Sequence, residues 1–426
     1  MKSPLLSLAV ALSTAAALTA AQPRAPLPAC DPGNGGLKLP EGFCARVAAD
    51  NLGAARHVAV AANGTVYVAI QNRGGDRAGI IALRDTDGDG TLETTERAGE
   101  KSTTGLAIRN GYLYTASVGS VERFRLAGND LRPGPAEVVV ADLPVTIPHQ
   151  DKGLAFDGRG GLYVSIGAPS NACQPQDRRP GIAGQNPCPQ LENSGGIWKF
   201  DENRLGQRQP DGRRFATGLR QMPALAFHDG ALYTVMNNRD QLDYLWPDLF
   251  KAADNQNRPA EVMYRVDENA DFGWPYCFFD LQSNKLILNP EYGGNGATEG
   301  RCPRFTLPVA TFPAHWAPVD VMFYSGTQFP ARYRGGAFIA FHGSWNRAPA
   351  AQDGYNVTFQ PFASGRPSGR FEVFADGFAG AQPPRNPNDA TYRADGVAQA
   401  PDGSIYIAES ARGRLWRVMY KGPTGR

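Results

Sequence analysis

One pattern recurs along the chain and limits what it can fold into: a small apolar stretch, a turn centred on glycine, then a strand of the form hydrophobic-Tyr-hydrophobic. Copies occupy 57–70 (HVAVAANGTVYVAI), 105–118 (GLAIRNGYLYTASV), 153–166 (GLAFDGRGGLYVSI), 224–236 (ALAFHDGALYTVM) and 396–409 (GVAQAPDGSIYIAE). A sixth, looser copy spans 319–341, with Gly335-Gly336-Ala337-Phe338-Ile339-Ala340 in place of the tyrosine strand. Asn-Gly, Asp-Gly and Gly-Gly supply the turns, and β-branched and aromatic residues supply the strands, so each copy reads as a β-hairpin. Six hairpins, each extended by two outer strands, predict an all-β fold, a six-bladed β-propeller of four-stranded antiparallel blades. An antiparallel sandwich is the architectural alternative. The anchors Tyr67, Tyr114, Tyr163, Tyr233, Phe338 and Tyr406 are unevenly spaced, which predicts substantial loops on one face. No Gly/Ser linker divides the chain, so 22–426 is expected to be a single propeller domain.

The chain starts Met1-Lys2, continues as an apolar run from Leu5 to Leu18, and reaches Thr19-Ala20-Ala21 before Gln22. A basic start, an apolar core and small residues predict a secretory signal peptide at 1–21, cleaved near Ala21. The run is too short to span a bilayer comfortably, and no later segment approaches a membrane span. The product is expected to be periplasmic or secreted. Cys30, Cys44, Cys173, Cys188, Cys277 and Cys302 then read as disulfides, because an exported chain meets an oxidising compartment. Six cysteines allow 15 pairings, but these fall into three sequence-local couples, Cys30–Cys44, Cys173–Cys188 and Cys277–Cys302. The absence of Cys-x-x-Cys argues against zinc, and the absence of Cys-x-x-Cys-His argues against covalent haem. With 43 basic and 41 acidic residues the net charge is +2, so there is no global basic footprint for nucleic acid.

The five histidines are His57, His149, His228, His315 and His342. His57 and His228 sit inside the hairpins and read as packed or surface imidazoles. His149 lies in Pro148-His149-Gln150-Asp151-Lys152-Gly153, just before an inner strand, where propeller loops look into the central channel. An imidazole there can act as a general base near neutral pH. Arg220, before the fourth hairpin, and Arg393, before the last, occupy comparable positions. Guanidinium groups converging on a channel suit an anionic, planar ligand; a pair of interblade salt bridges is the alternative.

With these residues placed, the segment 39–420 resembles the soluble, pyrroloquinoline quinone (PQQ)-dependent glucose/sorbosone dehydrogenases. The matching pieces are His149-Gln150 before Gly153-Leu154, Gly218-Leu219-Arg220 before Leu225-Ala226-Phe227, and Asp271-Phe272-Gly273-Trp274-Pro275. Ala317-Pro318 and Arg393, ahead of Val397 and Pro401-Asp402-Gly403, complete the match. The resemblance implies a sugar or aldehyde oxidoreductase that uses PQQ and Ca2+, with an external electron acceptor, either a quinone or a redox protein. It implies that His149 takes the proton of the anomeric hydroxyl and that Arg220 faces the quinone oxygen. It places Arg393 on the cofactor carboxylates, and Asn238 and Arg239 where backbone carbonyls bind calcium. Gln221 stands where the family has asparagine, His315 at a threonine position, and Arg347 where a lysine is replaced; all three are candidate cofactor contacts. Ala168 follows Ile166-Gly167 where the family often has aspartate, which leaves Asp151 as a candidate partner for His149.

A second metal signal lies in Asp85-Thr86-Asp87-Gly88-Asp89-Gly90-Thr91, which with Glu96 fits the twelve-position calcium-loop pattern. Its flank, Ile80-Ile81-Ala82-Leu83, reads as strand rather than helix, so either a structural calcium loop or an acidic hairpin tip is expected. Two further functions compete with the dehydrogenase. A calcium-dependent lactonase would line a channel metal with Asp, Glu and Asn side chains, and a binding propeller would need no convergent base and arginines.

Overall fold

Each expected hairpin forms. The computed structural model describes residues 27–73 and 75–423; the expected signal peptide lies outside the described residues. The inner and second strands are Ala55–Val60 with Val66–Ile70, Thr103–Arg109 with Tyr112–Ser117, and Leu154–Phe156 with Gly161–Ile166. Then follow Gln221–His228 with Ala231–Asn237, Pro318–Phe323 with Ala337–His342, and Ala394–Gln399 with Ile405–Glu409. These pairs define blades one to six. Each inner strand contacts the next around the ring, and the sixth contacts the first. The fold is a six-bladed β-propeller with almost no helix.

Blade six is completed from the other end of the chain. Phe43–Ala49 is its outermost strand, pairing Phe43 with Tyr420, Ala45 with Val418 and Val47 with Trp416. Blades two and three depart from four antiparallel strands. Gln207–Arg208 adds a short parallel strand beside Ala136–Ala141, and Ala270–Asp271 adds one beside Arg213–Thr217. Two residues of ladder carry too little periodic pattern to be read from sequence.

The repeat has a packing reason. In five blades the anchor tyrosine pairs with an alanine of the inner strand: Ala59 with Tyr67, Ala107 with Tyr114, Ala155 with Tyr163, Ala226 with Tyr233, and Ala398 with Tyr406. Inner strands converge on the axis, so a methyl group leaves room for the neighbouring ring. All six anchors are buried. The glycine that opens several copies answers the same crowding. A Cβ at Gly105 would press on the Lys152 carbonyl, and one at Gly396 on the Arg56 carbonyl of the adjacent blade.

The three disulfides are Cys30–Cys44, Cys173–Cys188 and Cys277–Cys302, as expected, with no free cysteine among the described residues. They point to an extracytoplasmic compartment. No helix among the described residues is long and apolar enough to cross a membrane.

Candidate active site

Five of the six inner strands begin with one extra residue relative to their partner: between Ala55 and Val58, Thr103 and Gly105, Gln221 and Ala224, Pro318 and Asp320, and Ala394 and Gly396. A bulge at a strand start re-aims the side chains that precede regular pairing. Arg56, Thr104 and Asp395 lie within these bulges, at the same end of the propeller as His149, Arg220 and Arg393.

His149 is buried and makes one ring hydrogen bond, Nδ1 to the Ala168 carbonyl at 2.6 Å. A carbonyl oxygen only accepts, so Nδ1 carries the proton and Nε2 of the neutral ring keeps its lone pair. Burial, then the nearby Arg220 charge, hold the imidazole pKa well below 6.5, so the ring is neutral at pH 7. The loop is fixed on both sides. Thr146 Oγ1 donates to the His149 carbonyl at 3.0 Å, and the Lys152 ammonium donates to the carbonyls of Pro144 at 3.0 Å and Gln150 at 3.3 Å. Gly167 has no Cβ to collide with His149. The partner of His149 is therefore the backbone of Ala168, and the expectation for Asp151 is corrected. Asp151 instead takes Arg56 at 2.9 Å, Gln71 at 2.6 Å and Thr104 at 3.0 Å.

Arg220 is buried, with NH2 on Asp240 at 2.6 Å and on Asn171 Oδ1 at 3.0 Å. Asp240 also takes Arg178 at 2.8 Å and the Asn346 amide at 3.1 Å, and its carboxylate lies 3.9 Å from His315 Nδ1. Buried among these cations, its carboxyl is held below the ordinary carboxylate range. Asp240 is thus a hub that the sequence reading missed. The Asp271–Pro275 motif supports it from below: Trp274 Nε1 donates to the Asn171 carbonyl at 2.9 Å, and its amide donates to the Gly218 carbonyl at 2.9 Å. His315 Nε2 donates to the Asn255 carbonyl at 2.6 Å, and Arg347 to the Gln256 carbonyl at 2.7 Å. Gln221 opens the fourth inner strand opposite Asn237.

Asn238 and Arg239 use their side chains structurally. Asn238 Nδ2 donates to the Ala260 carbonyl at 2.9 Å, and the Arg239 guanidinium pairs with buried Glu291 at 2.6 Å and with Asn289 at 2.9 Å. The main-chain carbonyls of both residues accept no hydrogen bond from the described residues. Glu261 accepts the Asn238 amide at 2.9 Å, and burial pushes its carboxyl up to about 8.

Across the channel, Arg56 bridges Asp151 and Asp395, the latter at 2.6 Å. Asp395 is raised to about 6 by burial, and its Oδ1 has no hydrogen-bond partner among the described residues. His342 Nε2 meets Ser410 Oγ at 2.8 Å. Arg393 donates to the carbonyls of His342 at 3.0 Å and Gly343 at 3.1 Å and forms no ion pair among the described residues. Burial lowers it to about 10, so it stays charged. It lines a pocket of 390 Å³ together with Arg73, Thr391 and Arg412. His57 and His228 are packed residues: His57 Nε2 donates to the Val319 carbonyl at 2.9 Å, and His228 stacks on Phe323 at 4.0 Å.

The acidic loop lies elsewhere. It joins Gly79–Arg84 to Thr94–Ala98 at the end of blade one where the hairpin turns lie, opposite His149. Asp85, Asp87 and Asp89 bring carboxylate oxygens within 4.8 Å of one another. Arg46 NH2 reaches Asp89 at 2.8 Å and Thr91 Oγ1 at 2.7 Å. Glu96 is not brought to the aspartates. It is exposed within the outer strand, opposite Ala82, so the full twelve-position reading is corrected: strand pairing has claimed its last position.

Solved structures share this architecture. The PQQ domain of pyranose dehydrogenase from Coprinopsis cinerea, in its holo form, superposes with a TM-score of 0.70 at 16% identity, covering 92% of this chain and 98% of that one. The calcium structure of the Trichoderma reesei AA12 protein gives 0.73 at 19%, covering 90% and 97%. The PQQ-bound aldose sugar dehydrogenase of Streptomyces coelicolor gives 0.54 at 15%, covering 89% and 100%. At these identities the likeness is one of fold. In sequence, the chain is 24% identical over 189 residues to a PQQ-dependent pyranose dehydrogenase of Coprinopsis cinerea, 38% of this chain and 25% of that protein. It is 29% identical over 209 residues to an uncharacterized protein of Borreliella burgdorferi, 48% of each. The matches thus cover half or less of the length of these curated relatives. The chain is related to PQQ-dependent sugar dehydrogenases. It belongs to the TrAA12-like family, whose model matches residues 37–421.

Proposed function

We propose that this chain is a periplasmic or secreted quinoprotein that oxidises an aldose or related sugar and passes the electrons to a quinone or redox protein. The observation that carries the reading is the His149 tautomer: a buried, neutral imidazole whose Nδ1 is bound by the Ala168 carbonyl and whose Nε2 makes no hydrogen bond to the described residues. The residues fit the two groups such a reaction needs. Arg393 is a buried cation whose guanidinium donates to carbonyls, lies over the Tyr355 ring and has no carboxylate partner among the described residues, as a site for a carboxylate-bearing cofactor requires, and the carbonyls of Asn238 and Arg239 are uncommitted hard oxygen donors for calcium. Gln221, His315 and Arg347, on other loops and strand starts of the same end of the propeller, are proposed as further cofactor contacts. When bound, PQQ supplies a hydride acceptor and calcium a Lewis acid. His149 Nε2 takes the proton of the hydroxyl being oxidised, and Ala168 holds its ring in place. Arg220, fixed by Asp240 and Asn171, keeps a positive charge beside that base and requires no reorganisation.

The lactonase reading needs uncommitted carboxylates around a channel metal. Here Asp240, Asp151 and Asp395 are each paired with an arginine, and Glu261 is occupied by backbone amides and raised to about 8, so it is a poor anionic metal ligand at neutral pH. Reconstitution of the purified protein with PQQ and calcium, assayed on an aldose panel with a dye acceptor, tests the proposal. Cofactor-dependent dye reduction is expected, and lactone hydrolysis without dye reduction would reverse the choice. Arg393→Ala is expected to weaken PQQ binding by about 10- to 100-fold, the loss of one charge-assisted contact. An unchanged titration would make Arg393 structural.

Asp85, Asp87, Asp89 and Thr91 are proposed as a separate, structural calcium loop, with calcium displacing Arg46 from Asp89. Replacing Asp85 and Asp87 with alanine is expected to abolish the part of the calcium-induced rise in melting temperature that this loop supplies, with PQQ titration unaltered. A double variant that retains the full rise would leave the loop as a turn.

A further inference from the structure

Trp345 is 48% exposed, and the only other exposed large aromatic among the described residues is Tyr244. Such a side chain buries roughly 150–250 Å² when packed, so half-exposure leaves much apolar area unused. The loop that carries it is not loose. Ser344 is buried, with Oγ donating to Gln352 at 2.8 Å; Asn346 donates to Asp240 at 3.1 Å; and Arg347 donates to the Gln256 carbonyl at 2.7 Å. Ser344, Asn346 and Arg347 are pinned, and Trp345 between them is exposed.

Its place is the rim of the site. The Arg178 guanidinium lies 6.0 Å from the Trp345 ring centroid and pairs with Asp240 at 2.8 Å, and Asp240 in turn holds Arg220 at 2.6 Å. The same carboxylate therefore positions both the charge beside His149 and the loop that presents the indole.

We propose that Trp345 is the platform on which the pyranose ring of the substrate stacks. The inference rests on the dehydrogenase reading and names how its substrate is selected. A pyranose is amphipathic: its C–H bonds gather on the ring faces and its hydroxyls point outward. The Arg178 guanidinium lies over one face of the indole; the exposed part of the ring covers an apolar sugar face, and the polar Asn346 next to it suits the hydroxyl edge. An open-chain polyol has the hydroxyls but no ring face, so the platform discriminates ring from chain.

The test compares Trp345→Ala and Trp345→Phe with the wild type, each loaded with PQQ and calcium. For the best aldose, KM is expected to rise about tenfold in the alanine variant with kcat within about twofold, and phenylalanine is expected to restore most of the affinity. A second readout needs no turnover: tryptophan fluorescence titrated with methyl β-D-glucopyranoside, whose blocked anomeric oxygen has no proton to lose. A saturable change is expected in the wild type, absent in Trp345→Phe and absent with sorbitol. An unchanged KM in Trp345→Ala, a loss confined to kcat, or an equal response to sorbitol would overturn the proposal. If no aldose is oxidised but the Trp345-dependent titration survives, the dehydrogenase reading fails and the sugar platform stands. Failure of both readouts removes both.

Discussion

His149→Ala is expected to lower turnover by about 10²- to 10⁴-fold, the usual contribution of a general base, while the fold and most PQQ affinity persist. A sugar hydroxyl cannot readily surrender hydride unless its proton also leaves, and on the proposed function the Nε2 lone pair of His149 takes it. The pH dependence has a definite sign. The imidazole pKa is depressed by burial and by Arg220, so the base form prevails from neutrality to well below pH 6.5. Wild-type activity should hold across pH 6.5 and fall only when the pH drops through the depressed value, and the variant should lack that acid limb. A limb centred at 6.5 or above would contradict the burial of the ring. Near-normal turnover in a PQQ-saturated variant would remove His149 as the base and weaken the dehydrogenase assignment with it.

Glu291→Ala should produce the largest stability change, about 3–5 kcal/mol, because it strands the guanidinium of Arg239 in the interior. The Arg239 and Glu291 side chains are 1% and 0% exposed, and Glu291 also accepts Trp246 Nε1 at 3.0 Å. Urea denaturation measures the loss. A companion variant, Arg239→Met with Glu291→Met, removes both charges and should lie much closer to the wild type, since paired apolar replacements avoid the stranded charge. Equal destabilisation by the two would mean that packing, rather than charge, dominates there. The pair ties residues 238–240 to the loop that carries Glu291, so partial unfolding in Glu291→Ala should appear as weakened calcium affinity before global loss of structure.

The propeller was legible because its signal is local. Each hairpin lies within about a dozen residues, and the Ala–Tyr pairing repeats within it. The site was legible only in part, for reasons that differ residue by residue. His149, Arg220 and Arg393 stand just before inner strands, a position that a repeat exposes. Asp240 does not: its importance comes from Arg178, Arg220 and Asn346, which three separate loops bring to it. Arg56 meets Asp395 across 339 positions, a closure that no short window contains. The partner of His149 was unreadable for another reason. Every residue owns a carbonyl, so Ala168 carries no compositional mark of its role. Glu96 was misread because the spacing of a ligand loop and the ladder of a strand can claim the same residue, and here the strand won.

The pairing of Phe43 with Tyr420 has a consequence for when the protein can become active. Contacts between distant parts of a chain form slowly, because the intervening loop must be closed before they are rewarded. Blade six, which the early strand completes, is also the blade that contributes Arg393 and Asp395. A chain still emerging from a ribosome or a translocation pore therefore lacks both its last blade and the cationic side of its site. On the proposed function, cofactor capture would be the final event of maturation, after the whole polypeptide has been released, and a truncated product would be catalytically silent rather than partly active.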